Sequence, residues 1–192
     1  MAFPRPSEAE PSPEAGATSP RPSLQPSAQT SAEASHVAMT PEGPRSRMVD
    51  VGDKPVSARS ATARARVRFS PGVLERVLAE GGPKGPITEV ARAAGILAAK
   101  RTSEWIPMCH LLPLDHVELG FEPLAPGLLE IRCRAACTAR TGVEMEALVG
   151  ACTAALTVYD MTKALDRAIT IERVELIEKH GGRSGSWRRS EP

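Results

Sequence analysis

The sequence predicts an α+β fold, one antiparallel sheet with helices packed on a face. Three observations predict it. Residues 57–69 alternate, with Arg64, Arg66 and Arg68 on one side and Ala63, Ala65, Val67 and Phe69 on the other, the period of a half-buried strand. Residues 116–121 and 128–138 alternate in the same way, and the P-L-A-P-G between them is turn chemistry, so these two strands form a hairpin. In residues 141–163, Met145, Leu148, Val149, Cys152, Leu156 and Tyr159 recur at steps of three and four, as one buried face of a helix requires.

In chain order, residues 1–46 hold nine of the 18 prolines and few large apolar residues. Such a segment cannot bury enough surface to offset its ordering entropy, so it is predicted to be a disordered extension. The folded domain then covers 47–186. After the first strand, Ser70 is read as the N-cap and Pro71 as the first residue of a short helix that turns Leu74, Val77 and Leu78 inward and stops at Gly81-Gly82-Pro83. A second helix is predicted over 88–105, with Val90, Ala91, Ala94, Leu97 and Ala98 inward and Pro107 as its stop. After the hairpin, Thr141 and Gly142 supply a start for the long helix, with Glu144 and Glu146 near its first turn, where the helix dipole favours acids. Residues 169–177 make the last strand; its apolar phase slips between Ile171 and Val174, which predicts a bulge. A basic glycine-rich loop, 179–185, follows, and 187–192 is a frayed polar tail. Strand, helix, helix, strand, strand, helix, strand fits a plait of ferredoxin-like type.

The formal net charge is +1, from 24 basic and 23 acidic residues, which gives no general case for a nucleic-acid or membrane partner. No apolar run is long enough to span a bilayer, and the first thirty residues resemble neither a signal nor a transit peptide. The four cysteines read as reduced thiols, and the expected compartment is the cytoplasm. Cys133 and Cys137 share a strand face but stand roughly 13 Å apart, too far for one metal ion.

The long helix carries more ionisable groups than an interior helix ordinarily does. Asp160 and Lys163, three apart, are neighbours on its surface, either a simple surface ion pair or a functional one. Asp160 sits between Tyr159 and Met161, where its pKa is open to a shift. Glu146 and Asp160 are fourteen residues, roughly 21 Å, apart, too far for one small ligand to touch both on one copy of the helix. Either they serve different sites or two copies of the chain share a site. His110, after a helix end, is a candidate acid or base, or a partner of the helix's last carbonyls. Lys84 beside Gly85, and Lys179 and Arg183 among glycines, are candidate anion contacts or solvated turns. Arg59 is a further anion candidate.

Several ordered motifs carry a resemblance. R-A-A-G-I-L-A-A-K-R-T (92–102), I-P-M-C-H (106–110), T-G-V-E-M-E-A-L (141–148), Y-D-M-T-K-A (159–164) and K-H-G-G-R-S-G (179–185) closely resemble the molybdenum cofactor biosynthesis protein C family, the cyclic pyranopterin monophosphate synthases. The resemblance covers about residues 48–185. It implies a ferredoxin-like α+β fold and a homo-oligomer, a hexamer built as a trimer of dimers with sites between subunits. It implies a lyase that turns the 3′,8-cyclised, GTP-derived triphosphate into a pyranopterin cyclic monophosphate and releases pyrophosphate. By position, Asp160 matches the catalytic acid/base, Lys163 the essential lysine and Lys84 the lysine of a mobile loop. Met108, Cys109, His110, Glu144, Met145, Glu146, Lys179 and Arg59 match substrate-binding positions. No organic cofactor and no resident metal are implied, Mg²⁺ being compatible only as a companion of the substrate phosphates. The chain departs from the family pattern at Pro86, at Leu111 and at Arg183, where the family usually has an acid, a proline and a lysine. A non-catalytic nucleotide-binding module on the same plait is the alternative reading; it would need cations around phosphate but no acid–lysine pair.

Overall fold

The computed structural model describes residues 37–190. The described residues open with a hairpin, β1 (Val37–Thr40) and β2 (Gly43–Ser46), closed by the Thr40 hydroxyl donating to the Gly43 carbonyl over 2.9 Å. This corrects the predicted extension over 37–46; the rest of that prediction lies outside the described residues. The bias toward proline and serine hid a local T-P-E-G turn, and Gly43 supplies the positive φ it needs.

The main sheet has five strands, β3 (Ser57–Arg68), β4 (His116–Ala125), β5 (Leu128–Ala139), β6 (Thr170–His180) and β7 (Trp187–Arg188), in the order β4-β5-β3-β6-β7. Every neighbouring pair is antiparallel. The predicted bulge is present: Val67 pairs with Ile171 and Arg66 with Arg173, leaving Glu172 as the extra residue. A second irregularity leaves Ile177 extra between the partners of Thr62 and Ala63, and β6 runs on to His180, beyond its predicted end. Residues 187–188 are not frayed. They pair with Lys179 and Glu178 as β7, and the Arg189 amide donates to the Ile177 carbonyl over 2.7 Å.

The helices are α1 (Val73–Glu80), α2 (Ile87–Lys100), α3 (Thr102–Trp105) and α4 (Glu144–Thr162). Arg101 leaves helical geometry, so the single helix predicted over 88–105 is α2 and α3. Gly72, with φ of 78°, stands at the N-cap of α1 in place of Ser70, whose carbonyl accepts from the Val73 amide one residue inside. Val143, not Thr141 or Gly142, is the N-cap of α4.

The largest correction concerns which faces are buried. In α4 the inward residues include Ala147, Gly150, Ala151, Ala154, Ala155 and Val158; of the predicted face Val149 is buried and Leu148 and Tyr159 pack partly against the core, while Leu156 is 52% exposed. In α2 they are Ile87, Ala91, Gly95, Ala98 and Ala99, with Val90 and Leu97 outside; in α1, Leu78 is outside. The reason is close approach. A methyl group at Gly95 would stand 2.9 Å from the Gly150 carbonyl oxygen, and one at Gly150 would stand 2.6 Å from Cys133 Sγ on β5. Helix, helix and sheet pack at backbone distance, and only small side chains fit between them. Ala61, Ala63 and Ala65 on β3 and Cys133, Ala135 and Cys137 on β5 complete this core.

The arginine face of β3, the outer side of the predicted half-buried strand, is not left to solvent but forms an ion-pair network. Arg66 Nε lies 3.0 Å and Arg132 Nε 2.6 Å from the two carboxylate oxygens of Glu130, whose side chain has 0% exposure. Arg64 is buried and meets Glu175 at 2.7 Å. Register explains this, because Arg66 stands opposite Glu130 and Arg64 opposite Glu175. Burial pushes the Glu130 carboxyl up, but the bonds from Arg132 and Arg66 prevail and hold it below its ordinary range. Among the described residues, no helix is long and apolar enough to cross a membrane.

Candidate functional site

A cavity of about 240 Å³ opens at the start of α4. It gathers six of the residues singled out above, Met108, Cys109, His110, Glu144, Met145 and Glu146. Three chain segments deliver them: the turn after α3, the first turn of α4, and the run before β3 that adds Val49, Val51 and Lys54. That run is tied down at two points. The Val49 carbonyl lies 2.8 Å from His110 Nε2, and since a carbonyl can only accept, Nε2 carries the proton. The Lys54 carbonyl accepts from Arg140 Nε over 3.1 Å. Lys54 was missed as a site residue; M-V-D-V-G-D-K has no periodicity to mark it, and only its docking on His110 and Arg140 brings it to the cavity. Leu111 is 78% exposed and leaves the His110 bond intact, so the departure there does not unseat the histidine.

Glu146 is the unusual group in this cavity. It is 4% exposed, and burial pushes its carboxyl up to about 7; its own backbone N–H works against the rise, and the nearby Glu144 adds to it. Burial, and then the charge of Glu146, also raise the Cys109 thiol. Gly142 makes room for Glu144, whose carboxylate folds back onto the space a Cβ would take there.

The second group lies at the far end of α4. Lys163 Nζ is 2.6 Å from Asp160 Oδ1, and Lys84 Nζ is 2.8 Å from Asp160 Oδ2. Lys84 arrives from the turn between α1 and α2, where the Gly85 amide donates to the Gly82 carbonyl over 3.1 Å. Pro86, the other departure, is accommodated as the N-cap of α2, its carbonyl accepting from the Val90 amide. Asp160 is 53% exposed, so its apolar sequence neighbours do not govern it. The bonds from Lys163 and then Lys84 hold its carboxyl down to about 2, and Asp160 in turn raises Lys163.

Arg59 and Lys179 sit where β3 begins and β6 ends. Arg59 Nε donates to the Ala139 carbonyl over 3.0 Å and Nη2 to the Arg140 carbonyl over 3.2 Å. Gly182, with φ of 72°, packs on the Arg59 guanidinium, where a Cβ would overlap it. Lys179 Nζ donates to Ser184 Oγ and to the Gly185 carbonyl, closing the glycine loop upon itself. Arg59 belongs with the cavity end, for its register partner Cys137 feels it together with Glu146. Burial, then Glu146 and Asp115, push that thiol up against the pull of Arg59.

One copy of the chain therefore brings the candidates together as two groups, not one. The cavity end offers a buried carboxyl that titrates near neutrality beside an imidazole. The Asp160 end offers an ionised acid between two ammonium groups. Fourteen residues of helix, roughly 21 Å, part them. Among the described residues, no three His, Cys, Asp or Glu side chains are placed to hold a metal ion.

Residues 48–182 match the MoaC family. A protein of Chloroflexus aggregans called cyclic pyranopterin monophosphate synthase is 54% identical over 148 residues, 77% of this chain and 90% of that protein. Proteins of the same name from Thermomicrobium roseum and Herpetosiphon aurantiacus are 53% and 52% identical, over 77% and 74% of this chain and 89% and 88% of theirs.

Proposed function

Taking as premise that the chain belongs to the MoaC family and is an enzyme, we propose that it works in molybdenum cofactor biosynthesis as a lyase. Its substrate is (8S)-3′,8-cyclo-7,8-dihydroguanosine 5′-triphosphate, its product is cyclic pyranopterin monophosphate, and pyrophosphate leaves. One observation carries the reading: a single helix holds a protonatable carboxyl at one end and an acid–dilysine cluster at the other. Opening and reclosing purine-derived rings needs staged proton transfers, for which a carboxyl near pH 7 is matched, and a departing pyrophosphate needs cations. Glu146, with His110, serves the ring chemistry. Lys84 and Lys163 neutralise developing phosphate charge. Asp160, held at about 2, carries no proton at neutral pH and aims the two lysines; the acid/base role that the resemblance gives it would need its pKa to rise when substrate draws the lysines away. Arg59, Lys179, Lys54, Met108, Cys109, Glu144 and Met145 bind the substrate around the cavity. No organic cofactor is required, and Mg²⁺ enters only with the substrate phosphates.

The two ends meet when copies assemble, one chain's cavity facing another's Asp160, in a hexamer made as a trimer of dimers. The exposed Val90, Leu97 and Leu156 supply apolar surface for such packing. The order β3, α2, β4, β5, α4, β6 supports the ferredoxin-like reading of the fold. The four free cysteines suit the reducing cytoplasm.

The test is pyrophosphate release from the cyclised triphosphate, beside a Lys163→Ala control. Release by the wild type together with a cyclic-phosphate pterin product supports the lyase. Tight binding without release overturns it in favour of a nucleotide-binding module.

A further inference from the structure

Lys84 reaches Asp160 from a short lever. Its root is Ser70, at the end of β3; its body is α1, which buries only Leu74 and Val77; its tip is the exposed Gly82–Gly85 turn. The tip is held on one side by the buried Ile87 of α2, against which Gly82 packs, and on the other only by what fixes the root of α1. Asp166 is placed to fix that root. Its amide donates to the Thr162 carbonyl over 3.2 Å, as the Leu165 and Lys163 amides donate to Thr162 and Tyr159, so it forms one rigid turn with the residues that carry Asp160 and Lys163. The residue is 9% exposed, and its carboxylate accepts from the Ser70 amide over 2.8 Å through Oδ2 and from the Ala168 amide over 2.9 Å through Oδ1. Glu75 fastens the same helix elsewhere, accepting from the Gly127 amide at the β4–β5 turn. That bond ties α1 to the sheet; the Asp166 bond ties it to the end of α4.

We propose that Asp166 is a positioning residue, which fastens the root of α1 to the last turn of α4 and so holds Lys84 within reach of Asp160. It touches neither lysine and acts through the backbone of Ser70. The inference rests on the reading of Lys84 and Asp160 as working parts of the site. Among the described residues, the carboxylate is surrounded by N–H and hydroxyl donors from two chain segments, which keep it ionised without a cationic partner.

Two readouts test this on the full-length protein. The first is the titration of Asp160, followed by carbon NMR of its carboxyl. In the wild type its midpoint is about 2; in Asp166→Ala it moves toward the ordinary 3.8, as far as it does in Lys84→Ala, with Lys163 retaining the remainder. The second is turnover. Asp166→Ala lowers kcat about 10-fold with KM within about 2-fold, and Lys84→Ala combined with Asp166→Ala is no more than about 3-fold below Lys84→Ala alone, since both changes remove one interaction. An unmoved Asp160 midpoint, or losses that multiply in the double variant, overturns the proposal and leaves Asp166 a merely structural carboxylate. If Asp166→Ala does not fold, Asp166→Asn, which keeps the size and one acceptor, is measured in both ways under the same criteria. The titration needs no substrate. A midpoint that moves as expected in a protein that releases no pyrophosphate would keep Asp166 in its role and overturn the lyase alone.

Discussion

The two ends of α4 hold acids of opposite habit. Glu146, in the first turn, is walled off from water and faces a cavity, and it keeps its proton up to about pH 7. Asp160, near the last turn, stands half in solvent between two lysines and loses its proton at about pH 2. Nothing in the side-chain chemistry separates them so far, for the ordinary values are 4.5 and 3.8. Desolvation decides the first and charge-assisted hydrogen bonds decide the second. One rigid element therefore presents a proton donor and an ionised clamp for cations at fixed separation, the pairing of acid/base work with phosphate stabilisation that a ring-opening lyase needs.

Removing a cation from the clamp should have the largest consequence. Lys163→Ala should lower pyrophosphate release by about 10²- to 10³-fold while leaving the fold in place, because Lys163 is exposed and holds no core contact. Circular dichroism and steady-state kinetics on the same preparation check this.

Glu146→Gln sharpens the other end. The folded value of Glu146 lies above its unfolded value, so between about 4.5 and 7 the native state holds more protons than the unfolded chain, and stability falls as pH rises through that window. The full penalty, on the order of 3 kcal/mol, is present above pH 7. The glutamine variant should lose this slope and melt higher than the wild type at pH 8, while its turnover falls; melting curves from pH 4 to 8 decide. Asp160 gives the opposite sign. Its folded value is depressed, so its contribution is present above about pH 4 and is lost as pH falls toward 2.

A third change acts on the helix between the two ends. Gly150→Ala sets a methyl group against Cys133 Sγ and the Gly95 carbonyl, and should cost about 1–3 kcal/mol by denaturant unfolding. The smallest effect belongs to Asp160→Asn, which should remove Asp160's share of the stability loss below pH 4 and lower the melting temperature at pH 7 only slightly, since its partners are half exposed and the pair is screened.

How much of this was legible in the sequence follows from range. Alternation over 57–69, the hairpin turn, the bulge beside Glu172 and the Asp160–Lys163 pair all depend on residues within a few positions of one another, and all are present. On α4 the period through the large residues holds in part: Val149 is buried and Leu148 and Tyr159 pack against the core, but Leu156 does not. Close packing through Gly95 and Gly150 reserves the inside for alanine and glycine and turns Leu156 out. The Arg64–Glu175 and Arg66–Glu130 pairs span 111 and 64 positions, and only strand register reveals them. Lys84 came to Asp160 through the resemblance alone, across 76 positions. Lys54 had no signal at all.

At roughly 21 Å apart, the two ends of α4 can serve one small substrate only between copies of the chain. The most direct test mixes two inactive variants, Glu146→Ala and Lys163→Ala, dissociates and reassembles them in equal amounts, and measures pyrophosphate release from verified mixed oligomers. Sites that draw one intact end from each variant restore about a quarter of the wild-type rate. Mixed assemblies as inactive as either parent would contradict the claim, and each end of the helix would then have to serve a separate site.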